Sequence, residues 1–201
     1  MDKSENSTPK NRGRKILILL ICLFTGVNII AWMHAYTFTH FSETDRAKSQ
    51  IEGLGWQEKL TILLTGIKHP RPETLQKPAF PYIQSHIHSG PDTLEVWESR
   101  VDTAKGTVLF FHGFSAEKSS QLERAAYFRG LGYSVCLVDF RGSGGSSAAY
   151  TTIGFHEADD VLAAFEAIKP TSPQPVYLFG TSMGAAAILR AMWLKKLPVQ
   201  G

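Results

Sequence analysis

The sequence is short of three things, and each shortage removes a class of function. Cysteine is rare: only Cys22 and Cys136 occur, with no second cysteine or histidine at ligand spacing from either. That argues against a disulfide framework and a zinc centre, and both thiols are expected to be buried and inert. Surplus charge is missing from most of the chain. The formal net charge is +3, and Lys3, Lys10, Arg12, Arg14 and Lys15, set against Asp2 and Glu5, place all of it before residue 16. A neutral remainder offers no electrostatic footprint for nucleic acid. The glycines of a nucleotide loop are missing too. Gly142-x-Gly144-x-x-Ser147 lacks the third glycine of a dinucleotide fingerprint, and there is no Gly-Lys-Ser/Thr for a P-loop. No cofactor and no metal are expected.

What is present suits a folded protein. The 201 residues are 43% hydrophobic and 19% charged, a balance that favours one domain with a sizeable core over a disordered chain. Residues 16–33, ILILLICLFTGVNIIAWM, contain no charge. As a helix they reach about 27 Å, and extension to residue 38 covers a hydrocarbon core of about 30 Å. Trp32 and Tyr36 are candidate interface anchors. A cleaved signal peptide would need a shorter apolar region and a small-x-small exit, whereas Ala31-Trp32-Met33-His34-Ala35 is bulky. The preferred reading is an uncleaved single-pass anchor at 16–38, with a signal sequence and a buried core helix as alternatives. The cations before the span place the N-terminus in the cytoplasm and the body outside, on the periplasmic side in a bacterium. Residues 1–15 then form a flexible basic tail, and residues 39–80 a membrane-proximal linker. In that linker GWQEKLTILLTGI reads as a helix, either on the membrane surface or packed on the domain. The proline-rich stretch after it reads as an extended connector.

From residue 81 onward the signals alternate. Residues 82–88 and 94–99 read as a hairpin turned at Ser89-Gly90-Pro91-Asp92. TVLFF (107–111), SVCLV (134–138) and VYLF (176–179) are short apolar runs, as expected of strands covered on both faces. Each precedes a helical pattern: one opening on a Ser120/Glu123 capping box and stopping at Gly130, one ended by Pro170, and one from Met183 to about Lys196. Strands alternating with helices predict an α/β fold with a mostly parallel sheet.

Gly180-Thr181-Ser182-Met183-Gly184 matches G-x-S-x-G between the strand VYLF and the helix AAAILRAMW. A nucleophile on so tight a turn needs small residues two positions to either side, which makes Gly180 and Gly184 part of the pattern. Ser182 is the candidate nucleophile, placed where the positive end of the following helix favours developing negative charge. His112-Gly113-Phe114 follows TVLFF. The backbone N–H groups of Phe114 and Met183 are the candidate oxyanion donors, with His112 and Gly113 shaping that loop. His112 is not read as the base. In residues 139–146 (DFRGSGGS), Asp139 ends a strand, Arg141 is expected to pair locally, and the glycines permit a tight loop. His156, Glu157, Asp159 and Asp160 are read as a solvated helix start.

HGF, DFRGSGGSS and GTSMG, each after a buried strand, resemble the α/β-hydrolase superfamily, and within it the serine-aminopeptidase-like and monoacylglycerol-lipase-like branch. The likeness covers roughly residues 80–201. NIIAWMHAYTFTHF and GIKHPRP resemble bacterial members with an N-terminal membrane helix. The resemblance implies the N-terminal part of the α/β-hydrolase fold over 81–201 and hydrolysis of ester, thioester or amide bonds in small-molecule or lipid-like substrates. In that family the triad acid and histidine follow the nucleophile. MGAAAILRAMWLKKLPVQG, all that follows Ser182, has no Asp, Glu or His. A C-terminally truncated and inactive chain is the expectation, with Pro198-Val199-Gln200-Gly201 starting a further strand. The alternatives are a non-catalytic anchored scaffold or binding protein that keeps the fold, and an acyltransferase.

Overall fold

The computed structural model describes residues 9–42, 53–169 and 174–200. The chain forms two compact units, Met1–Phe38 with Gln50–Ile67, and Thr39–Ser49 with Lys68–Gly201.

The first unit contains helix α1 (Pro9–Thr39), except for its last residue, and helix α2 (Trp56–Thr65). Helix α1 starts at Pro9, inside the basic head expected to be a flexible tail. Proline suits a first helical position because its missing N–H would have no partner there. Its segment Asn11–Thr39 is long and apolar enough to cross a membrane, and none of its most apolar window is buried. Cys22, expected to be buried, is exposed, on a stretch of α1 that no described residue buries. Helix α2 has no buried residue, so it is not packed into a core. Its last carbonyls are capped by α1. His34 Nε2 lies 2.9 Å from Leu63 O, and Thr37 Oγ1 donates to Thr65 O at 2.9 Å.

The second unit is built on a five-stranded mixed sheet. Strands β3 (Ile83–Ser89) and β4 (Asp92–Ser99) form the expected hairpin, with Ser89 opposite Asp92 and only Gly90 and Pro91 between them. Strands β5 (Thr107–Phe111), β6 (Ser134–Val138) and β7 (Val176–Gly180) follow, and the order across the sheet is β3-β4-β6-β5-β7. β5 runs parallel to both neighbours, while β4 is antiparallel to β6. The side chains of β5 and β6 are buried throughout, as two covered faces require. Val108 and Phe110 point to one face, with Trp97, Val135, Leu137 and Ala125 of helix α3 (Leu122–Gly130). Leu109 and Phe111 point to the other, against Ala158, Val161 and Phe165 of helix α4 (Glu157–Ile168) and Met183, Ala187 and Ile188 of helix α5 (Met183–Leu194). Period-two alternation along one strand thus fills two apolar layers.

Helix α3 is entered through a 3₁₀ turn, Lys118–Gln121, and the Ser120/Glu123 box does not form. Glu117 caps instead, accepting from Ser119 N at 2.6 Å. A two-residue strand pair lies outside the main sheet: β1 (Phe41–Ser42) runs parallel to β2 (His69–Pro70). Among the described residues β7 pairs with β5 alone, apart from a single backbone bond from Gln200 N to Val176 O at 3.1 Å.

Candidate functional site

β7 ends at Gly180 and α5 begins at Met183, so Thr181 and Ser182 make the whole turn. Thr181 N donates to Phe111 O at 3.1 Å, and Gly184 N closes the bend on Thr181 O at 3.0 Å. Ser182 takes φ 51° and ψ −112°, backbone angles that L-residues rarely adopt, and its side chain is exposed. Two glycines make room for the bend. A Cβ on Gly180 would lie 2.5 Å from Ala185 N and from Gly184 C, and one on Gly184 would lie 2.5 Å from Phe111 O and 2.8 Å from His112 O. Every one of these neighbours is backbone, so no side chain can swing aside.

The loop after β5 passes against this bend. A Cβ on Gly113 would stand 3.7 Å from Ser182 Cβ and 3.4 Å from Thr181 O. Phe114 comes next, with its ring 6.2 Å from Phe41 and edge-on to His69 at 5.5 Å. Met183 opens α5, so its N–H is among the first-turn amides that have no acceptor within the helix. The structure therefore gathers Ser182, Met183, Gly113, Gly180 and Gly184 at one end of β5 and β7, with Phe114 adjoining.

His112 is fully buried and edge-on to Phe140 at 5.1 Å. Its Nε2 accepts from Phe140 N at 3.1 Å, and its Nδ1, 2.8 Å from Gly113 O, carries the proton. Both ring nitrogens are engaged, and the residue ties the Gly113 loop to the Asp139 loop. Burial, opposed by the bond to Gly113 O, pulls its pKa from 6.5 down to about 4. The folded protein therefore holds it neutral, while the unfolded chain takes up a proton as pH falls below 6.5. The contribution of His112 to stability is full above pH 6.5 and is expected to decline toward pH 4, by roughly 3 kcal/mol at about 1.4 kcal/mol per pKa unit. His112→Gln keeps an acceptor for Phe140 N–H without titrating. Its unfolding midpoint in urea is expected to fall less than the wild-type midpoint between pH 7 and pH 4.5.

The loop after β6 is held by buried charges whose partners lie far apart along the chain. Lys118 Nζ is fully buried, 2.5 Å from Asp139 Oδ2, 2.6 Å from Glu95 Oε1 and 4.2 Å over the Trp97 ring. Asp139 also accepts from Lys118 N at 2.7 Å and from Gly145 N at 2.9 Å. Burial raises its pKa above the ordinary value even beside Lys118. Arg141, expected to pair locally, instead reaches Asp160 on α4 at 2.6 Å and Asp92 in the hairpin at 3.3 Å. The solvated helix start is also corrected. His156 and Asp159 are exposed, but Asp160 and Glu157 are fully buried. Burial pushes the Glu157 pKa up, and bonds from Thr152 N, Thr152 Oγ1 and Thr151 Oγ1 at 2.7–2.8 Å outweigh it, so the pKa is lowered. A buried carboxylate is tolerated where its oxygens are so fully bonded. Gly154 N adds a bond at 2.7 Å, and a Cβ on Gly154 would lie 3.2 Å from Met183 O, which sets this loop against the first turn of α5.

Ser182 makes no side-chain hydrogen bond among the described residues. Nor does any group of three or more His, Cys, Asp or Glu among them stand ready to hold a metal ion.

A family model described as "Serine aminopeptidase, S33" matches residues 102–201. The structure is similar to that of an esterase from Pyrococcus furiosus, with TM-score 0.58 and 25% identity over 66% of this chain and 55% of the esterase. A second crystal form of that esterase gives TM-score 0.55 and 27% identity over 62% and 50%. An epoxide hydrolase mutant from Vigna radiata shares the fold, with TM-score 0.50 and 22% identity over 60% of this chain and 37% of that one. The chain thus spans about half the length of the esterase structures it resembles. No curated protein matches it. With a mixed sheet flanked by helices, a sharp Gly-x-Ser-x-Gly bend after β7 and these likenesses in sequence and structure, the chain belongs to the α/β-hydrolase superfamily.

Proposed function

We propose that this is a membrane-anchored serine hydrolase that cleaves ester, thioester or amide bonds in small-molecule or lipid-like substrates. Ser182 Oγ bonds to the substrate carbonyl carbon, and its proton passes to a histidine base. The carbonyl electron pair moves onto oxygen, where the N–H groups of Phe114 and Met183 receive it. As this intermediate collapses the base returns the proton to the departing alcohol, thiol or amine; water then bonds to the acyl carbon, the bond to Ser182 Oγ breaks, and the acid leaves as the serine regains its proton. The observation that carries the reading is the exposed Ser182 at φ 51° on the strand-to-helix bend. In this reading residues 16–38 span the membrane, 1–15 stay in the cytoplasm, 39–80 adjoin the membrane, and the hydrolase domain 81–201 lies on the outer side. No residue is assigned as the base or acid, because none described bonds to Ser182. The same observation favours the second reading, an anchored scaffold or binding protein without catalysis.

A fluorophosphonate probe applied to membranes of the source cells separates the two. With Ser182→Ala introduced at the gene's own locus, the hydrolase reading predicts a labelled band in wild type that is lost in the variant. A wild-type protein present in the membrane but never labelled would support the scaffold.

A further inference from the structure

The last residue of α1 and the three that follow it are built into the wall of the candidate site. Phe41 N donates to Ala149 O at 2.8 Å, Thr151 N donates to Thr39 O at 2.8 Å, and Arg71 N donates to Ser42 O at 3.1 Å. His40 bridges Tyr150 in antiparallel fashion, and β1 lies beside β2. Residues 39–42 are therefore woven on one side into the loop before α4 and on the other into the segment that opens at His69. The Phe41 side chain is only 8% exposed. Its ring meets that of Phe114 at 6.2 Å while His69 meets Phe114 edge-on at 5.5 Å, so the Phe114 side chain is gripped by β1 and β2 together.

We infer that Phe41 is a positioning residue for the oxyanion loop, holding the Phe114 backbone where it can receive the developing negative charge. This rests on the reading of Phe114 as an oxyanion donor. Gly113 carries no side chain to fix the loop, which passes close to the Ser182 side chain, a built Cβ lying at van der Waals distance, 3.7 Å, from Ser182 Cβ. Ser115, on the other flank, sits at φ 52°. A backbone donor in such a loop stays on target only if its own side chain is held, and oxyanion donors must be placed to within about 0.5 Å. The ring of Phe41 supplies that hold from a stretch that precedes the first strand of the main sheet by some forty residues.

The test compares Phe41→Ala and Phe41→Leu with wild type and Ser182→Ala, each at the native locus, by the kinetics of fluorophosphonate labelling in isolated membranes. Phe41→Ala is expected to lower the maximal labelling rate about tenfold with little change in the probe concentration giving half that rate, and Phe41→Leu about threefold. A purely structural role would reduce the amount of labelled protein and leave the rate per molecule unchanged. Wild-type rates in Phe41→Ala, with labelling still dependent on Ser182, would overturn the inference while leaving the hydrolase reading intact. If Phe41→Ala does not accumulate, Phe41→Leu decides: a slowed rate supports the role, and an unchanged rate overturns it. Failure of wild type to label overturns both readings.

Discussion

Gly184→Ala is expected to remove fluorophosphonate labelling at Ser182 by about a hundredfold or more and to destabilise the fold. The added methyl would stand 2.5 Å from Phe111 O, 2.8 Å from His112 O and 2.9 Å from Phe111 C. These are backbone atoms at the end of β5, a central and fully buried strand, so the strand cannot retreat. The first turn of α5 must lift away instead, and Ser182 is carried with it. Overpacking of this kind costs about 1–3 kcal/mol, and a shift of about 1 Å at a reacting atom costs about a hundredfold in rate. The labelling rate per molecule and the thermal midpoint in detergent check the two parts separately. An alanine variant that labels at the wild-type rate would mean that α5 and β5 are not in the contact described.

Ser182 itself offers a test of the strain stored at the bend, read from stability alone. At φ 51° and ψ −112° any residue with a Cβ is strained by about 1–3 kcal/mol, and glycine is not. Glycine also gives the unfolded chain more freedom, which offsets about 0.5–1 kcal/mol of that gain. Strain is the larger quantity, so Ser182→Gly is expected to be about 1 kcal/mol more stable than Ser182→Ala, with both unlabelled. Urea unfolding in detergent reads the difference. An alanine variant as stable as the glycine variant would show that the bend is relaxed, and the case for a strained nucleophile would fail. A strained serine costs stability and gives nothing back in packing, the pattern expected where a reactive group is held out of a comfortable conformation.

The parts of this fold that were legible in the sequence are those set by neighbours along the chain. The run TVLFF marks β5 because both faces of that strand are covered, so its burial is continuous. Gly180 and Gly184 mark the bend because a local collision with backbone forbids anything larger. The hairpin followed from Gly90-Pro91 between two alternating stretches. The parts that stayed hidden depend on partners far along the chain. Nothing near Lys118 in sequence distinguishes it from a surface lysine. It is buried because Glu95 and Asp139 converge on it from β4 and from the end of β6. Glu157 and Asp160 looked like a solvated helix start for the same reason: their acceptors are filled by Thr151, Thr152, Ser89 and Arg141, which only the fold brings together. Phe41 followed a long apolar helix and read as linker, and its contact with Phe114 spans a separation no periodicity can report.

The hydroxyl at the β7–α5 bend is the group proposed to react. Native membranes treated with a fluorophosphonate, digested and analysed by mass spectrometry give the most direct answer. A phosphonate adduct is expected on the peptide containing Gly180-Thr181-Ser182-Met183-Gly184, with fragmentation placing it on Ser182 Oγ. That peptide recovered wholly unmodified, or an adduct on a different residue of this chain, would contradict it.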